Sequence, residues 1–81
     1  MAKRYITVRV VNSSGKPEYY ARVTLWVYQF AAGGSYEKHT NSDGVVEFDV
    51  DIDEGAEVSI SVNGSEKVRR GSIRTPYTVT I

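Results

Sequence analysis

The sequence predicts an all-β protein, a single antiparallel β-sandwich of about seven strands spanning residues 1–81. Two observations carry this prediction. Apolar and polar residues alternate along most of the chain with the period of two that is typical of half-buried strands, and no segment shows a helical period. Segments rich in Gly, Asn and Ser interrupt the alternation at intervals of about eight to twelve residues, which is the spacing of strands in a sandwich.

The predicted strands are separated by residues that favour turns. The first strand is followed by a long polar connection that contains Gly15 and Pro17, and residues 41–44 read Asn-Ser-Asp-Gly, a set that tolerates positive φ. Asn63-Gly64 between two alternating runs favours a type I′ hairpin turn. The strands predicted between these turns are residues 6–10, 23–30, 36–40, 46–52, 57–62, 65–70 and 77–81.

The apolar residues at alternate strand positions predict the core. Each buried side chain of this kind contributes roughly 1.5–3 kcal/mol, most of which offsets conformational entropy. The set is large enough to form a core without further aromatic residues. The predicted inward residues are Ile6, Val8, Val10, Val23, Leu25, Val27, Val46, Phe48, Val50, Ile52, Val58, Ile60, Val62, Val68, Tyr77, Val79 and Ile81.

The second strand is unusual because both of its faces are apolar. Trp26, Tyr28 and Phe30 alternate with the residues that face the core. If about half of each ring faces water, the three rings form a contiguous patch of roughly 200–400 Å². A patch of that area is often functional on a small protein. A neighbouring Arg9 or Arg22 is able to stack on one of the rings. We therefore predict a binding face formed by Trp26, Tyr28, Phe30 and Arg9.

Two arrangements within the chain would remove this face. The connection at residues 12–20 could fold over it, with Tyr19 and Tyr20 on the rings, or a bulge could turn Trp26 into the core. If the face is open, it suits a second copy or a neighbouring domain, because aromatic residues are enriched at protein interfaces. It also suits a glycan, although the usual polar companions are sparse on the adjacent predicted strands.

Composition argues against several classes of partner. Ten basic and ten acidic residues give no net charge, so the molecule has no overall preference for nucleic acid or for a membrane surface. No run approaches the ~20 apolar residues of a membrane span, and the first residues lack the apolar stretch of a signal peptide. An acidic run at residues 43–57 and a basic run at residues 67–74 are expected to lie on adjacent strands and pair.

Catalytic and metal chemistry have few candidates. His39 is the only histidine and the chain has no cysteine, so we predict no catalytic residue and no enzyme activity. Asp49, Asp51 and Asp53 share one face of an extended strand, which favours edge protection over a calcium site. Calcium at these residues and Glu54 stays an alternative. We predict no metal site and no cofactor.

Two segments contain motifs of a known type. The first predicted strand is followed by Gly-x-Pro and Ala-x-Val-x-Leu, and a later Thr-x-x-Asp-Gly leads to a Phe. The residues of these motifs are Gly15, Pro17, Ala21, Val23, Leu25, Thr40, Asp43, Gly44 and Phe48. In these motifs the chain resembles carboxypeptidase-regulatory-like and transthyretin-like (prealbumin-like) modules. The resemblance implies a transthyretin-like sandwich, with an immunoglobulin-like sandwich as the alternative. It says little about function, since such modules are linkers, anchors and binding domains.

Taken together, these features predict a non-catalytic structural or adhesive module that docks to a neighbouring domain or to a second copy through its aromatic strand face. We expect it to be part of a larger surface or secreted protein, although the lack of cysteine suits the cytoplasm equally. One alternative is a carbohydrate-binding module that uses Trp26, Tyr28 and Phe30. Another is an engineered or designed immunoglobulin-like domain without natural function.

Overall fold

A computed structural model describes residues 2–30 and 33–81 of the chain, and these residues form seven β-strands and no helix. The strands form two packed sheets, which confirms the predicted sandwich. The second strand ends at Tyr28, two residues earlier than predicted. The strands are β1 (Ala2–Val11), β2 (Arg22–Tyr28), β3 (Gly34–His39), β4 (Val45–Ile52), β5 (Glu57–Val62), β6 (Ser65–Ser72) and β7 (Tyr77–Thr80).

The three-stranded sheet has the order β4-β1-β7 and the four-stranded sheet has the order β3-β2-β5-β6. Neighbouring strands are antiparallel except for β1 and β7, which run parallel with Val8 opposite Tyr77. In an immunoglobulin constant domain, the first strand pairs with the second and the third with the sixth. Here the first strand pairs with the fourth and seventh, so the strand order is not that of an immunoglobulin domain.

The core lies between the two sheets, and all but three of the predicted inward residues are buried. The exceptions are Val68 and Tyr77, which are half-buried, and Ile81, which is exposed. Val68 and Tyr77 belong to strands at sheet edges, where a side chain has a neighbouring strand on one side only. Ile81 follows the end of β7. The differences from strict alternation are thus confined to β6, to β7 and to the residue that follows it.

Residues 12–16 and 41–45 form two turns with the same geometry. In each copy, the side-chain oxygen of an Asn accepts hydrogen bonds from the backbone N–H groups two and four residues later, at 2.9 and 3.0 Å. The glycine three residues after each Asn has a positive φ, +80° at Gly15 and +74° at Gly44. Only glycine adopts this backbone conformation without a steric cost.

Gln29 ties the end of β2 to the other sheet. Its side-chain oxygen accepts a hydrogen bond from the backbone N–H of Asp53 at 2.8 Å, and its side-chain nitrogen donates to the Asp51 carbonyl at 3.3 Å. Lys38 makes a similar link at one side of the sandwich, where its Nζ donates to the Glu47 carbonyl at 2.9 Å. The chain is thus fixed immediately before Phe30.

The acidic and basic runs lie mostly on strands that are not neighbours. Many of the acidic residues are on β4, which pairs with β1, whereas the basic run begins on β6, which pairs with β5. Within the described ranges the two runs meet at one ion pair, between Arg70 Nε and Glu57 Oε1 at 2.9 Å. A second pair joins Lys3 to Asp49 at 3.7 Å across β1 and β4.

Candidate functional site

Trp26 lies in the middle of β2 on the outer face of the four-stranded sheet. The residue is 43% exposed. β2 pairs with both neighbours without a bulge, and the residues directly opposite Trp26 are Ser35 on β3 and Ser59 on β5. Because these neighbours are small, they leave much of the indole ring uncovered. Trp26 is therefore a surface residue, and no bulge turns it into the core.

Tyr28 lies on the same face but is half-buried by contacts with its own sheet. Its hydroxyl lies 3.0 Å from Ser59 Oγ, and the guanidinium of Arg70 stacks 4.2 Å from the centre of its ring. Arg70 is held in turn by its hydrogen bond to Glu57. Ser59 is only 2% exposed although it is on the outer face, in keeping with the tyrosine contact. Tyr28 thus offers less free surface than the alternation predicted.

Phe30 lies beyond the end of β2, and its side chain is fully exposed, at 104% of the reference area. Phe30 lines two surface grooves. One contains Tyr28 and Arg70, and the other contains Asp53 and Glu54 of the turn between β4 and β5. The three rings predicted as one row are therefore separated into an open Trp26, a partly covered Tyr28 and a Phe30 outside the strand.

The structure does not bring Arg9 to this face. Arg9 is exposed on β1 of the three-stranded sheet, between Val45 of β4 and Thr78 of β7. The predicted stacking of an arginine on an aromatic ring does occur on the four-stranded sheet, but its partners are Arg70 and Tyr28. Alternation along a strand indicates which face of that strand a residue occupies, but it does not indicate which sheet the strand joins. Arg9 was therefore assigned to the wrong sheet.

A groove of about 380 Å³ lies beside Trp26 on the outer face of the four-stranded sheet. Charged and hydroxyl side chains surround the single aromatic ring, whereas none of the lining residues is Asn, Asp or Gln, the polar types that the sequence indicated to be sparse here. Within the described ranges, neither Arg22 nor Glu37 forms an ion pair. We call this site the Trp26 groove, and its lining residues are Arg22, Thr24, Trp26, Ser35, Glu37, Ser61 and Gly64.

A second aromatic cluster was missed by the sequence analysis. The ring of Tyr20 stacks on that of His39 at 4.3 Å with an interplanar angle of 17°, and the Tyr19 ring lies 5.9 Å from that of Tyr20. Both tyrosines are more than 60% exposed. They therefore do not cover Trp26 as the alternative arrangement required. In the sequence, only the two consecutive tyrosines indicated an aromatic cluster, because no local pattern places His39 against Tyr20.

Thr40 holds this cluster in place. Tyr20 has a φ of +61°, which is rare for a bulky residue. The Thr40 hydroxyl accepts a hydrogen bond from the Ala21 backbone N–H at 2.9 Å and donates to the Glu18 carbonyl at 2.6 Å. The Tyr20 N–H also donates to the Thr40 carbonyl at 3.1 Å. Thr40 is 2% exposed, so these bonds are shielded from water and stabilise the unusual backbone.

The acidic residues considered for calcium do not converge on one point. Asp49 is paired with Lys3, and Asp53 lies at the turn contacted by Gln29. In the part of the chain that the structure describes, no three side chains of His, Cys, Asp or Glu come together in a group that could hold a metal ion. His39 is stacked on Tyr20, away from these acids.

Comparison of the chain with family models and with curated proteins gives no match to either. The structure establishes the architecture, two packed sheets of three and four strands. None of residues 2–30 and 33–81 belongs to a helix long and apolar enough to cross a membrane. The exposed aromatic residues of the four-stranded sheet are the features that point to a binding surface.

Proposed function

We propose that this protein is a non-catalytic structural or adhesive module that docks onto a second copy of itself through the surface around Phe30. We call this surface the Phe30 end, and it consists of Phe30, Tyr28, Arg70, Asp53 and Glu54. The observation that carries the proposal is the complete exposure of the Phe30 ring. Burial of such a side chain stabilises an assembly by about 1.5–3 kcal/mol, and aromatic residues are enriched at interfaces.

The charges around Phe30 favour a second copy as the partner. Arg70 lies in the groove on one side of the ring, and Asp53 and Glu54 lie in the groove on the other side. In a two-fold dimer, the same patch of both subunits meets itself. If the two Phe30 rings meet at an axis perpendicular to the line from Arg70 to the acidic pair, the basic side of each patch faces the acidic side of the other. In that orientation the surface is complementary to itself in charge.

The side chains available for catalysis also support a module without catalytic activity. The only histidine is stacked on Tyr20, and the chain has no cysteine nucleophile.

The net charge of zero means that two copies do not repel each other as whole molecules. As part of this proposal, the sandwich is transthyretin-like rather than immunoglobulin-like, on the basis of the sequence motifs and of a strand order unlike that of immunoglobulins. Its expected setting is a surface or secreted protein.

Sedimentation velocity over a wide dilution series tests the proposal. We expect the wild-type protein to form a dimer that dissociates on dilution. Phe30→Ser should weaken the dimer by at least about a hundredfold, because each dimer loses two buried rings worth about 1.5–3 kcal/mol each. Tyr5→Ser is the matched control, since Tyr5 is an aromatic residue that is 55% exposed on the other sheet. This variant should dimerise like the wild type.

A charge exchange tests the proposed geometry. Glu54→Lys and Arg70→Glu should each prevent dimer formation, because each variant places like charges opposite one another. An equimolar mixture of the two variants should form a heterodimer, in which both contacts are again between opposite charges. Far-UV circular dichroism verifies that each variant is folded. A wild-type protein that stays monomeric at millimolar concentration, or a mixture that fails to associate, would contradict the proposal.

A further inference from the structure

We propose that the Trp26 groove binds a neutral oligosaccharide. This inference goes beyond docking at the Phe30 end, because it concerns a different ligand and a different set of side chains. The groove contains one exposed aromatic ring, one basic and one acidic side chain, and three hydroxyl groups. Its volume of about 380 Å³ lies in the range of small-molecule sites.

The indole ring of Trp26 supplies the apolar platform. Nearly half of its surface is exposed, and in the described part of the chain no other ring or cation packs on it. The face of an aromatic ring is electron-rich. The C–H groups on one face of a pyranose carry partial positive charge, so they pack on such a ring. Ser35, opposite Trp26 on β3, is small and lines the groove, so it leaves room for a sugar ring beside the indole.

Arg22 and Glu37 supply complementary hydrogen-bonding groups. A guanidinium carries five N–H donors and no acceptor, whereas a carboxylate only accepts. Each sugar hydroxyl can both donate and accept, so a pair of adjacent hydroxyls can engage both side chains. Both are available for this purpose, because neither forms an ion pair with a residue in the described ranges. Hydrogen bonds to charged groups are stronger than those between neutral groups.

The dimensions and rigidity of the groove fit a short chain of sugars. Arg22 and Trp26 lie on the same face of β2, four residues apart, which separates their Cα atoms by about 13 Å. This span exceeds a single pyranose ring. The backbone of Arg22 is fixed by two hydrogen bonds with Asn63, at 3.0 and 2.8 Å. A site that is already ordered loses less entropy when its ligand binds.

The balance of charges favours a neutral ligand over a charged one. A polyanion would be attracted to Arg22 but repelled by Glu37. A cation would be attracted to Glu37 but repelled by Arg22. Trp26 and Arg22 are of types enriched at protein interfaces, but Glu37, Ser35 and Ser61 are of types depleted there, so a protein partner is served less well. A hydroxyl-rich, uncharged chain with apolar ring faces satisfies both the indole ring and its polar neighbours.

Affinity electrophoresis in native gels tests this proposal. The probes are four soluble neutral polysaccharides: hydroxyethylcellulose, xyloglucan, galactomannan and glycogen. Gels with pectin and with heparin test for a charged ligand. We expect at least one neutral polysaccharide to retard the wild-type protein and Trp26→Ala to migrate as in a gel without polysaccharide. Tyr5→Ser should be retarded like the wild type, since it alters an exposed aromatic residue of the other sheet.

Fluorescence titration with the hexasaccharide of the retarding polymer gives the dissociation constant, since Trp26 is the only tryptophan. Glu37→Gln and Arg22→Gln should each raise the dissociation constant about tenfold, the usual result of losing a hydrogen bond to a charged group. These two variants keep the tryptophan, so they test sugar binding in the Trp26 groove even if Trp26→Ala does not fold. Unchanged affinity in both would overturn the proposal.

The proposal would also be overturned if none of the neutral polysaccharides retards the wild type, or if only pectin or heparin does. Phe30→Ser separates it from the proposed docking. Loss of the dimer in Phe30→Ser with retained polysaccharide binding would support both proposals. A wild type that is monomeric at all concentrations but retarded by a neutral polysaccharide would contradict docking and support the groove.

Discussion

Replacing Gly44 with alanine should cost this protein roughly twice as much stability as replacing Gly15, although both glycines occupy the same position of the same turn. Both residues have a positive φ, so alanine at either site adopts a left-handed conformation that costs about 1–2 kcal/mol. At Gly15 an added Cβ would meet no atom within 4 Å. The conformational cost is therefore the whole effect expected of Gly15→Ala.

At Gly44 the added Cβ meets backbone atoms that have no freedom to rotate away. It would lie 2.5 Å from the Val10 carbonyl oxygen, 3.1 Å from the Glu18 nitrogen and 3.2 Å from the Pro17 Cα. Separating these segments would weaken two hydrogen bonds, from Val10 N–H to the Gly44 carbonyl at 2.7 Å and from Glu18 N–H to the Val10 carbonyl at 2.9 Å. Each contributes about 0.5–1.5 kcal/mol. With the conformational cost, Gly44→Ala should lose roughly 2–5 kcal/mol.

Urea denaturation followed by Trp26 fluorescence and by circular dichroism measures the two free energies of unfolding. A loss of roughly 2–5 kcal/mol is a large part of the roughly 5–15 kcal/mol that stabilises a typical domain. It should lower Tm by roughly 8–40 °C in a protein of this size, whereas Gly15→Ala should lower it by about 4–16 °C. Equal losses in the two variants, within about 0.5 kcal/mol, would show that the close approach at Gly44 contributes nothing.

Two further substitutions probe buried hydroxyl groups by the same measurement. Thr40→Val keeps the shape of the side chain but leaves the buried Ala21 N–H and the partly buried Glu18 carbonyl without this partner, so it should cost about 2–4 kcal/mol. Thr40→Ser keeps the hydroxyl and should cost less, and equal losses in the two variants would refute this role of the hydroxyl. Tyr28→Phe removes the partner of the buried Ser59 hydroxyl and should cost about 1–2 kcal/mol. Tyr5→Phe, at an exposed site, should have almost no effect, and a similar loss there would contradict the role given to Tyr28.

The sequence predicted the sheets and most of the core because alternation reports directly on which side chains face inward. β4 illustrates this, since Val46, Phe48, Val50 and Ile52 are all buried at the predicted positions. Alternation contains no information about which strands pair, and the parallel contact between β1 and β7 was therefore missed. That contact depends on residues about 70 positions apart, beyond the reach of any local pattern.

The candidate site was predicted less well, because it depends on contacts between distant strands. The exposure of Trp26 followed from its position on β2. The partial burial of Tyr28 depends on Arg70, which reaches it from β6, where register shifts interrupt the pairing with β5. The polar lining of the Trp26 groove similarly comes from residues such as Glu37 and Ser61, which belong to strands on either side of β2. Only the folded pairing brings these side chains together.

The parallel contact between β1 and β7 also has a consequence for the order of folding during synthesis. β1 leaves the ribosome first, yet its two partners are residues 45–52 and 77–80. The hairpins β2-β3 and β5-β6 close over short distances and can form as soon as they emerge. The apolar face of β1, which includes Ile6 and Val8, must wait for strands made much later. Nascent chains should therefore expose this segment longest, and a chaperone that recognises extended apolar strands should bind there first.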